Sequence, residues 1–208
     1  AGRIDTDAAK QEIHGLIEEE MKTVRAQVQD KAEETSEDVV EKAERSLERL
    51  TNEKIMAVNE YSDTIYRVAL NITKNSADAF DVCQEVFIRL IKNKHKIKDR
   101  SHLKAWLLRV AVNCAKSCKT SAYVRHCVPL AEAREQGVSD NTFDKAIFQF
   151  VMQLPPKYSV AIYLFYYEDL KISEISKILN VTQSTVKSRL ARGRKQLREI
   201  IEREQSYD

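Results

Sequence analysis

Ser184, Lys187, Ser188, Arg192 and Lys195 place small hydroxyls and cations at helical spacing near the end of the chain. Ser184, Ser188 and Lys195 fall almost opposite an apolar stripe of Val186, Leu190, Gly193 and Leu197, with Lys187 and Arg192 flanking them. Such groups on one helical face can bond phosphate oxygens and the base edges of a major groove. They need a rigid support. Ile172, Ile175, Ile178 and Leu179 supply it, as one apolar face of a short preceding helix. Between the two helices, Asn180 sits where a left-handed conformer is wanted, and Thr182 is placed to cap the second helix. Residues 172–195 therefore read as a helix-turn-helix, and DNA binding is the first functional hypothesis.

A second concentration of charge lies upstream. Between Lys92 and Arg125 there are ten Lys/Arg against one acid, Asp99, with His95, His102, Trp106 and Tyr123 interleaved. That mixture can follow a phosphate backbone and stack unpaired bases. Trp106 itself is in phase with Val110 and reads as core. A third feature is the helix expected from Ser76 to about Lys92. Ala79, Cys83, Val86, Phe87 and Leu90 form its buried side. Asp81, Gln84, Glu85 and an exposed Ile88 share the opposite arc. That arc is either an ordinary solvated face or a protein interface in which polar groups frame one apolar anchor.

The elements that must position these groups are helical throughout. Four glycines and three prolines in 208 residues argue against a β-rich fold, and a hydrophobic content of 43% suffices for one to three small cores. No apolar run approaches the roughly 20 residues needed to cross a bilayer, and no signal-peptide pattern opens the chain, so a soluble cytoplasmic protein without membrane insertion is expected. Charge divides the chain in two. Residues 1–50 hold 8 Lys/Arg against 14 Asp/Glu, and the remainder holds 26 against 18. An acidic arm thus precedes a basic body, which suggests nucleic-acid contact in the body.

Within residues 8–50, apolar or small residues recur from Ile13, Ile17, Met21 and Val24 to Leu47 and Leu50 at close to 3.67 residues per turn. A long helix or a helical hairpin is expected, leaning on a partner or on the body. Val58, Tyr61, Ile65, Val68, Ala69 and Ile72 begin the body. Ser76 and Ser101 read as caps of the next two helices, the latter running to about Thr120. Residues 121–142 read as a linker. One helix then runs to Gln153, and Pro155-Pro156 opens another. Cys83, Cys114, Cys118 and Cys127 lack the second close pair of a zinc site and read as reduced, partly buried thiols. No nucleophile–base pair, phosphate-binding glycine loop or carboxylate–histidine cluster marks an enzyme, and no metal or cofactor is expected.

Four motifs in order carry a resemblance. They are Asp81-x-x-Gln84-Glu85-x-Phe87, Trp106-Leu107-x-Arg109-x-Ala111-x-Asn113, Leu154-Pro155-x-Lys157-x-x-x-x-Ile162, and Thr185-Val186-Lys187-Ser188-Arg189-Leu190-x-Arg192-Gly193-Arg194. Over residues 55–203 the chain resembles a bacterial sigma factor of the extracytoplasmic-function class. The resemblance implies an all-α protein with two small helical domains. These are region 2 at residues 51–120 and region 4 at 143–208, joined by the linker and preceded by the acidic segment 1–50. It also implies that Asp81, Gln84, Glu85 and Ile88 dock on the β′ clamp helices of core RNA polymerase, whose β flap is a further partner. The segment 93–101, including Lys94, Lys98 and Arg100, together with Arg109, Asn113, Lys116 and Lys119, would capture the melted minus-10 strand, with a flipped base in a loop pocket. Ser184, Thr185, Lys187, Ser188 and Arg192 would read the minus-35 duplex, with Arg189 and Lys195 on phosphates. An anti-sigma factor is an implied partner, and the linker would thread toward the polymerase active-site channel.

Some positions depart from the family pattern. Asn180 replaces the usual turn glycine, Ser176 a small apolar residue, and Cys114, Ala115 and Ser117 make the minus-10 helix less polar and less basic. Residues 1–50 have no counterpart in the two-domain core. They are a shield over basic surfaces, a joined piece of an inhibitory partner, or a helper segment. The alternatives to a sigma factor are a free-standing helix-turn-helix regulator, for which residues 143–208 offer no dimer seam, and a pure interaction protein, which leaves the basic body without a role.

Overall fold

The computed structural model of the chain describes residues 6–30, 37–92, 99–125 and 142–205. Eight helices and no strand occur among the described residues: α1 (Thr6–Asp30), α2 (Glu37–Thr73), α3 (Ser76–Lys92), α4 (Arg100–Arg125), α5 (Thr142–Gln153), α6 (Pro156–Tyr166), α7 (Ile172–Leu179) and α8 (Gln183–Gln205). None is long and apolar enough to cross a membrane.

Two caps lie one or two residues upstream of the serines expected to form them. Asn75 Oδ1 accepts from the Asp78 amide at 3.0 Å, so Asn75 caps α3 and Ser76 is its first helical residue. Asp99 Oδ1 accepts from the His102 amide and the Ser101 hydroxyl, both at 2.7 Å, and caps α4. Asx side chains reach the free N–H groups of a first turn at least as well as serine, and here they precede it. At its other end α4 continues through Arg125, beyond the expected stop near Thr120.

α2, α3 and α4 pack as a three-helix unit around Val58, Ile65, Val86, Phe87, Leu107 and Leu108, all buried as the helical spacing predicts. α5 to α8 form the second unit, and α6 is its centre. Tyr158 to Leu164 are buried without a break, because α6 lies against α2 on one side and against α5, α7 and α8 on others. A helix that is covered all round has no use for a polar stripe. α8 comes so close to α6 at Gly193 that a Cβ there would lie 3.1 Å from Ile162 Cγ1 and 3.3 Å from Tyr158 Cβ.

The two units share one continuous core and a polar seam. Lys74, held at a left-handed φ of 60° where α2 turns into α3, donates to the Met152 carbonyl at 2.8 Å and to Ser159 Oγ at 3.1 Å. Ser159 in turn donates to the Asn71 carbonyl at 3.0 Å. The Arg67 guanidinium lies 5.8 Å from the Phe148 ring centre, a distance that allows a cation–π contact. Lys104 of α4 pairs at 2.8 Å with Glu168, whose side chain is only 8% exposed and which also accepts from the Tyr163 hydroxyl at 2.9 Å. Burial pushes the Tyr163 phenol up, and the Glu168 carboxylate adds to it.

The acidic segment is a hairpin that joins the body. α1 lays Ile13, Ile17 and Met21 into the shared core, against α2 and α3. Each such burial is worth about 1.5–3 kcal/mol at most. α2 runs without interruption from Glu37 to Thr73, so the boundary expected at residue 51 falls inside a helix. Of the periodic stripe, Leu47 is half-buried and Leu50 is exposed. Residues 31–36, between the two arms, lie outside the described residues, as do most of the expected linker and residues 93–98.

Candidate nucleic-acid interface

The helix-turn-helix forms as its turn chemistry dictates. Asn180 adopts φ 53° and ψ 55°, the left-handed region in which asparagine substitutes well for glycine. The Val181 amide donates to the Ser176 carbonyl at 3.0 Å and closes the end of α7. Ser176, the departure from a small apolar residue, fits by turning its hydroxyl to the Ser173 carbonyl at 2.8 Å. Thr182 Oγ1 accepts from the Thr185 amide at 3.2 Å and caps α8. Ile175, Ile178 and Leu179 of α7, with Val186, Leu190 and Gly193 of α8, are buried between the helices and α6.

That packing leaves Ser184, Lys187, Ser188, Arg192 and Lys195 exposed along one face of α8. The hydroxyls there are pre-oriented. Ser184 and Thr185 share hydrogen bonds with the Thr182 hydroxyl at 2.9 and 2.8 Å, and Ser188 donates to the Thr185 carbonyl at 2.9 Å. Each hydroxyl oxygen still has lone pairs with which to accept. Thr185 and Arg189 are half-buried at the edge of this face. Arg194, outside it, donates to the Tyr166 hydroxyl at 3.4 Å.

On α4, Arg109, Asn113 and Lys116 follow one another at spacings of four and three and are exposed. Arg100 is exposed at the helix start, 4.0 Å from a Glu60 carboxylate oxygen. Lys116 departs from a free cationic arm: its ammonium donates to the Leu179 carbonyl at 3.2 Å, at the end of α7. Desolvation there, helped by the Arg189 charge, holds the Lys116 pKa below the ordinary lysine value. The outer cations of both helices therefore meet at one seam. Lys94, Lys98 and the Lys119 side chain lie outside the described residues. Trp106 is half-buried and packs on the core, in keeping with its phase.

The α3 face is more covered than its sequence suggests. Asp81 is exposed, while Gln84, Glu85 and Ile88 are half-buried. Ile88 is thus not the exposed anchor expected. Glu85 pairs with Arg89 at 2.6 Å along the helix. Gln84 Nε2 donates to Glu12 Oε2 of α1 at 2.9 Å. Sequence reasoning missed this contact, along with the Lys104–Glu168 pair, because each joins residues more than sixty positions apart with no local pattern to link them.

Cys83 and Cys114 are buried thiols and Cys118 is a half-buried one, none of them in a disulfide, and Cys127 lies outside the described residues. Burial pushes the Cys83 and Cys114 thiols up, away from reactive thiolates. Among the described residues no cluster of three or more His, Cys, Asp or Glu could hold a metal ion.

Two family models match this chain, Sigma-70 region 2 over residues 57–122 and Sigma-70 region 4 over residues 144–197. The ECF RNA polymerase sigma factor SigW of Bacillus subtilis is 30% identical over 161 residues, covering 69% of this chain and 86% of that protein. The ECF sigma factor SigM of the same organism is 29% identical over 161 residues, covering 69% and 91%. Among solved structures, the sigma factor RpoE of Bartonella quintana, crystallised with the anti-sigma factor NepR, superposes with a TM-score of 0.57 at 18% identity, covering 71% of this chain and 95% of that one. That likeness shows the fold. The matched segments fall within the α2–α4 and α5–α8 units just described, and the chain belongs to the ECF sigma factors of RNA polymerase, which direct the polymerase to promoters and are not themselves enzymes.

Proposed function

We propose that α8 reads the minus-35 duplex through Ser184, Thr185, Lys187, Ser188 and Arg192, with Arg189 and Lys195 on phosphates. The observation that carries this is the exposed hydroxyl and cation face of α8, whose opposite side is locked by Val186, Leu190 and Gly193 against α6 and α7. A rigid helix offering donors of fixed direction can enter a major groove without an ordering cost. The minus-10 strand is captured by the exposed Arg109 and Asn113 of α4 with Arg100, Lys116 and Lys119, and with Lys94 and Lys98 beyond the described residues. The linker, residues 121–142, threads toward the active-site channel. Asp81, Gln84, Glu85 and Ile88 of α3 dock on the β′ clamp helices, and region 4 meets the β flap. An anti-sigma factor is the regulatory partner, and the protein works in the cytoplasm.

Run-off transcription with core polymerase on fragments of the source genome tests the reading. Discrete start sites that appear only with the protein support it. Loss of transcription from those start sites when Arg192 and Lys195 are replaced by alanine supports the minus-35 assignment, and unchanged transcription overturns it.

A further inference from the structure

We propose that α1 is a built-in competitor for the polymerase-docking face of α3, seated in cis and displaced when polymerase binds. The inference rests on the reading of Asp81, Gln84, Glu85 and Ile88 as that face. α1 lies outside both family-model matches and is an addition to the two-domain core.

Its seat is specific. Ile13, Ile17 and Met21 form one buried stripe at spacings of four, and the Glu12 carboxylate beside that stripe accepts a hydrogen bond from the Gln84 amide. Further along, Lys54 of α2 donates to the Ile91 carbonyl at 2.7 Å and feels the Glu20 carboxylate, and Arg25 pairs with Glu48 at 3.6 Å. α1 therefore runs antiparallel to α2 and beside α3 from Gln84 toward Ile91. Ile88 lies in that interval, one turn beyond Gln84 on the same face, and it is half-buried. A partner helix cannot take the Gln84 amide while α1 keeps its place.

The same contacts show how α1 can leave. α1 is bonded to the docking residues at Gln84; Asp81 stays exposed, and Glu85 pairs within its own helix. His14 Nε2 is buried without a hydrogen-bond partner, a cost carried only while α1 is seated. The Arg25–Glu48 pair is exposed on both sides. A partner that offers an apolar ridge plus cations for Asp81 and Glu85 makes contacts α1 does not, and that difference in affinity is what shifts the population. The segment thus engages one edge of the docking face, at Gln84.

The test uses the full chain and purified bacterial core RNA polymerase. Ile13→Glu with Ile17→Glu puts two charges into the buried stripe and unseats α1. If α1 is seated nine-tenths of the time, affinity for core polymerase rises about tenfold. In the unaltered chain, amides of residues 10–26 lose hydrogen-exchange protection on adding polymerase, while those of residues 58–72 keep theirs. Unchanged affinity in a double variant that still melts cooperatively overturns the proposal, as does undiminished α1 protection in the complex. If the double variant fails to fold, the exchange experiment on the unaltered chain decides. Asp81→Lys separates the two ideas: loss of binding keeps α3 as the docking face whatever α1 does, and full binding removes the face and the competitor together.

Discussion

The Lys116 ammonium donates to the Leu179 carbonyl at 3.2 Å, tying the proposed minus-10 helix α4 to the last residue of α7. Arg189 of α8 lies close enough to lower the Lys116 pKa further. The two basic surfaces are thus folded toward one another across the α4–α7 seam. The Lys116 ammonium has three N–H groups, so it can keep this carbonyl and still donate to a phosphate.

The Lys104–Glu168 pair fastens the same seam. Removing Lys104 strands a carboxylate that is 8% exposed and leaves it the Tyr163 hydroxyl. Lys104→Ala should cost about 1–3 kcal/mol, less than a wholly buried pair because Lys104 is partly solvated. A lower melting temperature is expected, with a larger radius of gyration by X-ray scattering as the units separate. An unchanged radius would show that the polar seam at Lys74, Ser159 and Asn71 suffices to hold them.

Arg192 and Lys195 are both exposed on α8 but should behave differently. Arg192→Ala should weaken binding to a promoter duplex by about 1–3 kcal/mol and relax sequence preference. Lys195→Ala, a phosphate contact, should weaken all sequences alike and reduce the salt slope of log K by about 1. Both variants should melt like the parent chain. Anisotropy titrations at several salt concentrations distinguish them.

Gly193 sets the distance between α8 and α6. Alanine there gains up to about 1 kcal/mol of helix propensity. Against this, its Cβ would sit 3.1 Å from Ile162 Cγ1 and 3.3 Å from Tyr158 Cβ, and the latter is fixed to its own backbone. Gly193→Ala should therefore be destabilising by about 1 kcal/mol and Gly193→Val by more, since overpacking typically costs about 1–3 kcal/mol. Denaturant midpoints report the order.

The Asp99 cap carries a pH dependence. The Ser101 hydroxyl and the His102 amide hold its carboxyl below the ordinary value of 3.8. A carboxyl whose folded pKa is depressed adds stability that is fully present above its unfolded pKa and is lost as pH falls through the folded one. The first turn of α4 should fray below about pH 4, seen as faster exchange of the His102 amide. Asp99→Asn, which still accepts that bond but does not titrate, should remove the dependence while keeping most of the helix.

What could be read from the chain alone was local and periodic. The helix-turn-helix was legible because Asn180 and Thr182 bracket a turn whose geometry few residues tolerate, and because the stripes of α7 and α8 repeat at the helical period. The buried side of α3 followed from the same arithmetic, from Ala79 to Leu90. Where two neighbouring residues could do one job, the sequence was ambiguous: Asn75 and Asp99 cap the helices that Ser76 and Ser101 were expected to start, since each serine has an Asx just upstream.

The contacts that decide access came only with the tertiary structure. Gln84 with Glu12, Lys104 with Glu168, and Lys116 with Leu179 join residues 72, 64 and 63 positions apart. Each partner alone reads as an ordinary solvated or backbone group. A polar pair across such distances leaves no periodic trace, because its geometry is set by how whole helices pack and not by the spacing of residues along any one of them. Composition and periodicity therefore determined which surfaces this sigma factor has, and helix packing determined which of them are covered in the free chain.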